Sequence, residues 1–214
     1  MEQRKPPQYI LEVFADPTCV KDIVRGILHT IFFHRYFPSI KPSFVEVLDF
    51  TLPLVADPEL ETLIDTRVGQ LFRQLSSNSS PKSSVRGSLV VEFFEKKRRK
   101  AAGLGWFGTK GDEEICWESW CLEVTLATPK TEIGNLLLCK RCYKSGTTNA
   151  FAERTKVVKA VGSSLQKTAM KIITIVNRDK DHIPPITTSE TNPFPYHIDL
   201  NPRVEGWGRN MGIF

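Results

Sequence analysis

Asp-Pro occurs twice in this chain, at Asp16-Pro17 and Asp57-Pro58, and each pair precedes an apolar pattern of helical period. Aspartate accepts hydrogen bonds from the free N–H groups of a first helical turn, and proline suits the first helical position because its missing N–H has no partner to lose. After the first pair, Val20, Ile23, Val24, Ile27, Leu28 and Ile31 recur at helical spacing. The pattern predicts a helix from about Pro17 to Tyr36, ended by Pro38 and Pro42. After the second, Leu60, Leu63, Ile64, Val68, Leu71, Phe72 and Leu75 form another stripe. Two amphipathic helices so close in sequence need a shared apolar surface to cover.

That surface reads as a sheet. Phe44 to Leu52 reads as one strand, with Phe44, Leu48, Phe50 and Leu52 on one face. Ser76 to Gly87 is polar and serine-rich, the composition of a loop. Ser88 to Glu95 and Ile115 to Thr128 read as two further strands; in the second, Trp120, Leu122, Val124 and Leu126 alternate onto one face. Pro129 to Asn149 has no clear pattern. A third helix is expected from about Ala150 to Asn177, with the stripe Val158, Val161, Leu165, Ala169, Ile172, Ile173 and Val176. Pro184-Pro185 and Pro193 to Pro195 force extended backbone, and Tyr196, Ile198 and Leu200 alternate on a last strand. The order is helix, strand, helix, strand, strand, helix, strand. With the helices on one face, it predicts an α+β layer fold, one domain over residues 1–200 with a tail at 201–214.

Chemistry-bearing motifs fail on context. Gly103-Leu104-Gly105-Trp106-Phe107-Gly108 has dinucleotide-loop spacing, but the residues after it lead into a strand rather than a helix whose N-terminus would hold phosphate. Cys139 and Cys142 form a lone Cys-x-x-Cys, where zinc takes four ligands. Four residues lie between Cys116 and Cys121, a spacing that turns them to opposite faces of a strand. His29, His34, His182 and His197 have no metal-binding spacing, and His34 reads as a packed side chain. These readings predict no enzyme, no metal and no cofactor. Five cysteines and a polar start, Met1 to Pro7, fit a reducing, cytoplasmic setting, in which the Asn78-Ser79-Ser80 sequon stays unmodified. The net charge of +5 is mild for a nucleic-acid binder.

The remaining feature is the stretch of nineteen residues from Lys96 to Glu114, between two strands that read as a hairpin. Hairpin loops usually hold about two to five residues, and long irregular loops tend to be functional. This one begins with the basic run Lys96, Lys97, Arg98, Arg99 and Lys100. It continues to Trp106-Phe107 among Gly103, Gly105, Gly108 and Gly111. Adjacent aromatics at such a tip suit a partner's pocket. The basic run beside them suits electrostatic docking, and residues 96–111 therefore also read as a contact for an anionic membrane or nucleic acid.

Several fragments resemble one family. They are Leu28-His29-Thr30-Ile31 with His34-Arg35, Asp49-Phe50-Thr51, the basic run before Trp106-Phe107, Trp117-Glu118-Ser119-Trp120, and Ile175-Val176-Asn177 with His182-Ile183-Pro184-Pro185. Their order and spacing resemble the autophagy-related protein 101 family. That resemblance implies a HORMA fold, three helices against a mostly antiparallel sheet. It also implies a non-enzymatic adaptor at the autophagosome assembly site. The adaptor would pair with the HORMA domain of autophagy-related protein 13 inside the initiation kinase complex. Trp106 and Phe107 match the family's WF finger, which recruits downstream factors. Some relatives carry a proline between the two aromatics; this chain does not.

Overall fold

The structure is a computed structural model and describes residues 5–38, 41–77, 85–98, 112–126, 148–187 and 192–201. The elements are β1 (Gln8–Ala15), α1 (Val20–Arg35), β2 (Pro42–Val47), β3 (Phe50–Val55), α2 (Pro58–Ser77), β4 (Val85–Arg98), β5 (Asp112–Leu126), α3 (Thr148–Arg178) and β6 (Tyr196–Leu200). The main sheet has the order β1-β5-β4-β6, with β1 parallel to β5 and the other pairs antiparallel; β2 and β3 form a separate two-stranded sheet. Among the described residues, three helices with a mostly antiparallel sheet make the α+β, HORMA-like arrangement expected from the sequence.

One face of the main sheet carries Leu11, Val13, Ala15, Leu89, Val91, Phe93, Trp120, Leu122, Val124, Leu126 and Ile198, all buried. The alternation expected for β5 is therefore seen. α1 reaches this face through Phe32, whose ring lies 5.4 Å from Phe93 and 4.9 Å from Tyr196. Elsewhere α1 packs on the β2–β3 hairpin. A Cβ on Gly26 would stand 2.7 Å from Leu52 Cδ1, so the helix needs glycine to approach this closely.

The two Asp-Pro pairs behave differently. At α2 the Leu60 N–H donates to Asp57 Oδ1 at 2.9 Å, the expected N-cap. At α1 the Asp16 carboxylate instead accepts from the Thr18 N–H and hydroxyl, closing a turn. Helix α1 starts only after Cys19, which makes no side-chain cap, and not at Pro17.

Three strand readings need correction. β1 was not anticipated, although Leu11, Val13 and Ala15 alternate onto the core face. The single strand expected over Phe44 to Leu52 is a hairpin folded at Leu48-Asp49. Leu48 takes a positive φ of 56°, a conformation that leucine rarely adopts. Phe44 and Leu48 are exposed rather than buried. β4 and β5 also run further than expected. Lys96 pairs with Glu114, Lys97 with Glu113 and Arg98 with Asp112 in the ladder, so only residues 99–111 separate the strands. Basic residues opposite acidic ones favour this extension. On α3 the buried stripe is Val161, Leu165, Thr168, Ala169, Ile172, Ile175 and Val176, while Val158 and Ile173 are exposed.

Candidate functional site

Between Phe93 and Phe94 the β4–β5 register shifts: Phe93 faces Glu118 and Phe94 faces Cys116, leaving Trp117 as an extra residue. Such a bulge re-aims side chains. Here it buries both Trp117 and Glu118, neighbours that a regular strand would send to opposite faces. It also reverses the cysteine expectation. Cys116 pairs with Phe94 and Cys121 with Val90, so the two cysteines share a face. Burial, reinforced by Glu92, pushes the Cys116 thiol up to about 11, and burial raises Cys121 as well. Neither has the lowered thiol of a nucleophile.

Glu118 is fully buried, and its carboxylate gathers partners from three parts of the chain. Arg35, in the last turn of α1 and itself buried, donates its Nε–H at 2.9 and 3.0 Å to the two oxygens. Trp120 Nε1–H donates to Oε1. His182 Nε2 lies 2.6 Å from Oε2, within hydrogen-bond distance. Arg35 also donates Nη2–H to the Asp179 carbonyl at 2.9 Å. α1, β5 and the segment after α3 are thereby joined at one carboxylate. Removing an isolated charge from water is unfavourable by several kcal/mol, and only a saturated set of partners offsets it.

The tie continues outward. The Tyr9 hydroxyl donates to Asp179 Oδ2 at 3.0 Å, and Arg178 donates to both Asp179 oxygens at 2.7 and 2.8 Å. These bonds, Arg178 first, hold the Asp179 carboxyl down at about 2. Burial, then the Asp179 bond, push Tyr9 up to about 12. Trp117 packs between Phe93, His182 and Phe194, with ring centroids at 5.6, 5.7 and 5.2 Å. The segment from Asp179 to Thr187 is thus fastened over the bulge on its way to β6.

Of the residues expected to bind partners, Trp106, Phe107, Arg99 and Lys100 lie outside the described residues. So do Cys139 and Cys142. Lys96, Lys97 and Arg98 belong to β4 rather than a loop, opposite Glu114, Glu113 and Asp112, and Lys97 pairs with Glu95 at 3.1 Å. Acid beside the first half of the basic run weakens the reading of residues 96–111 as an anionic-surface contact. His34 is half-buried against Phe33, as expected of a packed side chain. Sequence reasoning did not single out Glu118. The available signal was a lone carboxylate between two tryptophans, inside a strand whose alternation marks it as core.

His29 is a second buried polar group, fully enclosed on α1, with neither ring nitrogen hydrogen-bonded among the described residues. Burial, with Arg25 adding to it and Asp65 opposing, lowers its pKa from 6.5 to about 4. A depressed folded-state pKa means that the neutral form stabilises the fold above pH 6.5. That contribution is lost as pH falls toward 4. We expect the wild type to lose about 2 kcal/mol through this group between pH 7.5 and pH 5. Urea denaturation at the two pH values checks this. His29→Leu should lose correspondingly less than the wild type over the same interval, and an equal loss in both would refute the assignment.

Three helices on a mostly antiparallel sheet, with a buried carboxylate fastening the chain after the last helix, define a HORMA-like domain. The autophagy-related protein 101 family model matches residues 12–190, and the chain belongs to that family. Autophagy-related protein 101 of Arabidopsis thaliana is 31% identical over 184 residues, covering 85% of this chain and 80% of the relative. The protein of that name from Schizosaccharomyces pombe (strain 972 / ATCC 24843) is 25% identical over 187 residues, covering 87% and 83%. An autophagy-related role follows from this membership. Three of the fragments that carried the resemblance, His34-Arg35, Trp117 to Trp120 and His182 to Pro185, meet at Glu118.

Proposed function

We propose that this chain is a non-enzymatic adaptor subunit of the autophagy initiation kinase complex. It pairs with the HORMA domain of autophagy-related protein 13 and stabilises it there. Trp106 and Phe107 recruit downstream factors to the autophagosome assembly site. The observation that carries this reading is family membership over residues 12–190. The geometry agrees with a scaffold: among the described residues, the polar site at Glu118 is a tie whose carboxylate oxygens are both engaged. The β4–β5 ladder runs out to Arg98 and Asp112, the two ends between which the Trp-Phe segment is strung.

Size-exclusion chromatography with light scattering tests the pairing. The full chain and the HORMA domain of autophagy-related protein 13, mixed at tens of micromolar, should elute as one species with the summed mass. Independent elution would put the dissociation constant above ~10 μM, weaker than about −7 kcal/mol and too weak for a stable subunit. The main functional claim would then fail.

A further inference from the structure

Helix α3 is amphipathic with an unusual polar side. From Thr155 to Arg178 it contains Lys156, Lys159, Lys167, Lys171 and Arg178 and no aspartate or glutamate. All five cations are exposed. At 3.6 residues per turn they fall within an arc of about 120°, opposite the stripe of Val161, Leu165, Ile172 and Val176. From Lys156 to Arg178 the ridge is about 33 Å long. Near its middle Met170 is 55% exposed, and Ile173 flanks it at 37%.

The helix is held so that this side stays outward. Ser164 Oγ accepts from the Phe14 N–H at 2.9 Å, Thr168 donates to the Glu12 carbonyl at 2.7 Å, and Lys171 Nζ donates to the Ile10 carbonyl at 2.7 Å. These bonds lay one flank of α3 along the free edge of β1. Among the described residues, Lys156, Lys159 and Lys167 form no ion pair, and Asp179, which follows the last cation of the ridge, is engaged by Arg178 and Tyr9.

We propose that the outer face of α3 docks this protein on an anionic lipid surface. Charge complementarity selects the occupant. A straight row of flexible, strongly hydrated lysines suits a diffuse sheet of negative charge, whereas specific protein contacts favour arginine's fixed fork. Met170 and Ile173 supply apolar groups that can enter the headgroup layer between the charges. This surface is separate from residues 96–111 and does not depend on the adaptor reading.

Co-sedimentation of the full chain with vesicles is the test. Binding should appear with phosphatidylcholine vesicles containing about 30% phosphatidylserine, be absent with phosphatidylcholine alone, and weaken as salt rises to about 0.15 M. Lys156→Gln, Lys159→Gln and Lys167→Gln together should weaken it on the order of a hundredfold, at roughly fivefold per charge. Circular dichroism should show an unchanged fold, since all three side chains are exposed. Met170→Gln should weaken binding at high and low salt alike. The proposal is overturned if the wild type ignores anionic vesicles at low salt or if the triple variant binds them normally. It is also overturned if a duplex oligonucleotide binds the ridge more tightly than the vesicles do. Loss of co-elution with the HORMA partner, with vesicle binding intact, would assign the ridge to a protein instead.

Discussion

Replacing Glu118 by alanine is expected to destabilise the domain by about 3–5 kcal/mol, because it strands a buried partner charge. Arg35 would keep its guanidinium in the core with only the Asp179 carbonyl left, and Trp120 Nε1 and His182 would each lose a partner. A loss of this size is a large fraction of the stability of an ordinary domain. Urea denaturation, read by tryptophan fluorescence, measures it directly. The pair itself contributes less than its breakage suggests, since apolar replacement of both partners avoids the stranded charge. Glu118→Leu with Arg35→Met should therefore recover a good part of the loss. If the single variant melts like the wild type, Glu118 is not the tie described. If the double variant is as unstable as the single one, the stranded charge is not the cause.

The second large effect belongs to Trp106 and Phe107. Changing both to alanine should weaken recruitment of downstream factors at least about thirtyfold, the equivalent of about 2 kcal/mol for an anchor pair. Stability should change by only about 0.5 kcal/mol, as for other surface substitutions. A tryptophan in the core would instead cost about 3–5 kcal/mol. One denaturation curve and one pull-down therefore separate the two roles, and co-elution with the HORMA partner should be unchanged. A double variant that unfolds, or that still recruits normally, would show the finger reading to be wrong. Neutralising Lys96 to Lys100 should act differently, mainly on association rate and salt dependence.

Long helical stripes were legible in the sequence because periodicity reports directly on burial. The three described helices were anticipated, as was the core face of β5 at Trp120, Leu122, Val124 and Leu126. What escaped was decided by contacts between distant residues. β1 is only eight residues of alternating pattern, and its partner β5 begins at Asp112. The turn at Leu48-Asp49 lacks the asparagine-glycine chemistry that usually marks a hairpin, so nothing local separated β2 from β3. The bulge at Trp117 has no signature of its own, yet it buries Trp117 beside the inward-facing Glu118 and places Cys116 on the face of Cys121. The site was half visible. His34-Arg35, Trp117 to Trp120 and His182 to Pro185 were noticed as family fragments, but only the fold brings Arg35 and His182 to one carboxylate.

The parallel pairing of β1 with β5 has a consequence for how the chain is made. Gln8 aligns with Ser119 and Ala15 with Leu126, so β1 leaves the ribosome more than a hundred residues before its sheet neighbour does. At roughly 5–20 residues per second, β1 waits on the order of 5–20 s with its backbone groups unpaired. Its other edge waits longer still, because Ser164, Thr168 and Lys171 come later in the chain than β5. Non-local pairing of this kind slows folding and exposes strand edges to wrong partners. The central sheet of this protein therefore assembles late in synthesis, after α1, the β2–β3 hairpin and α2 have already been made.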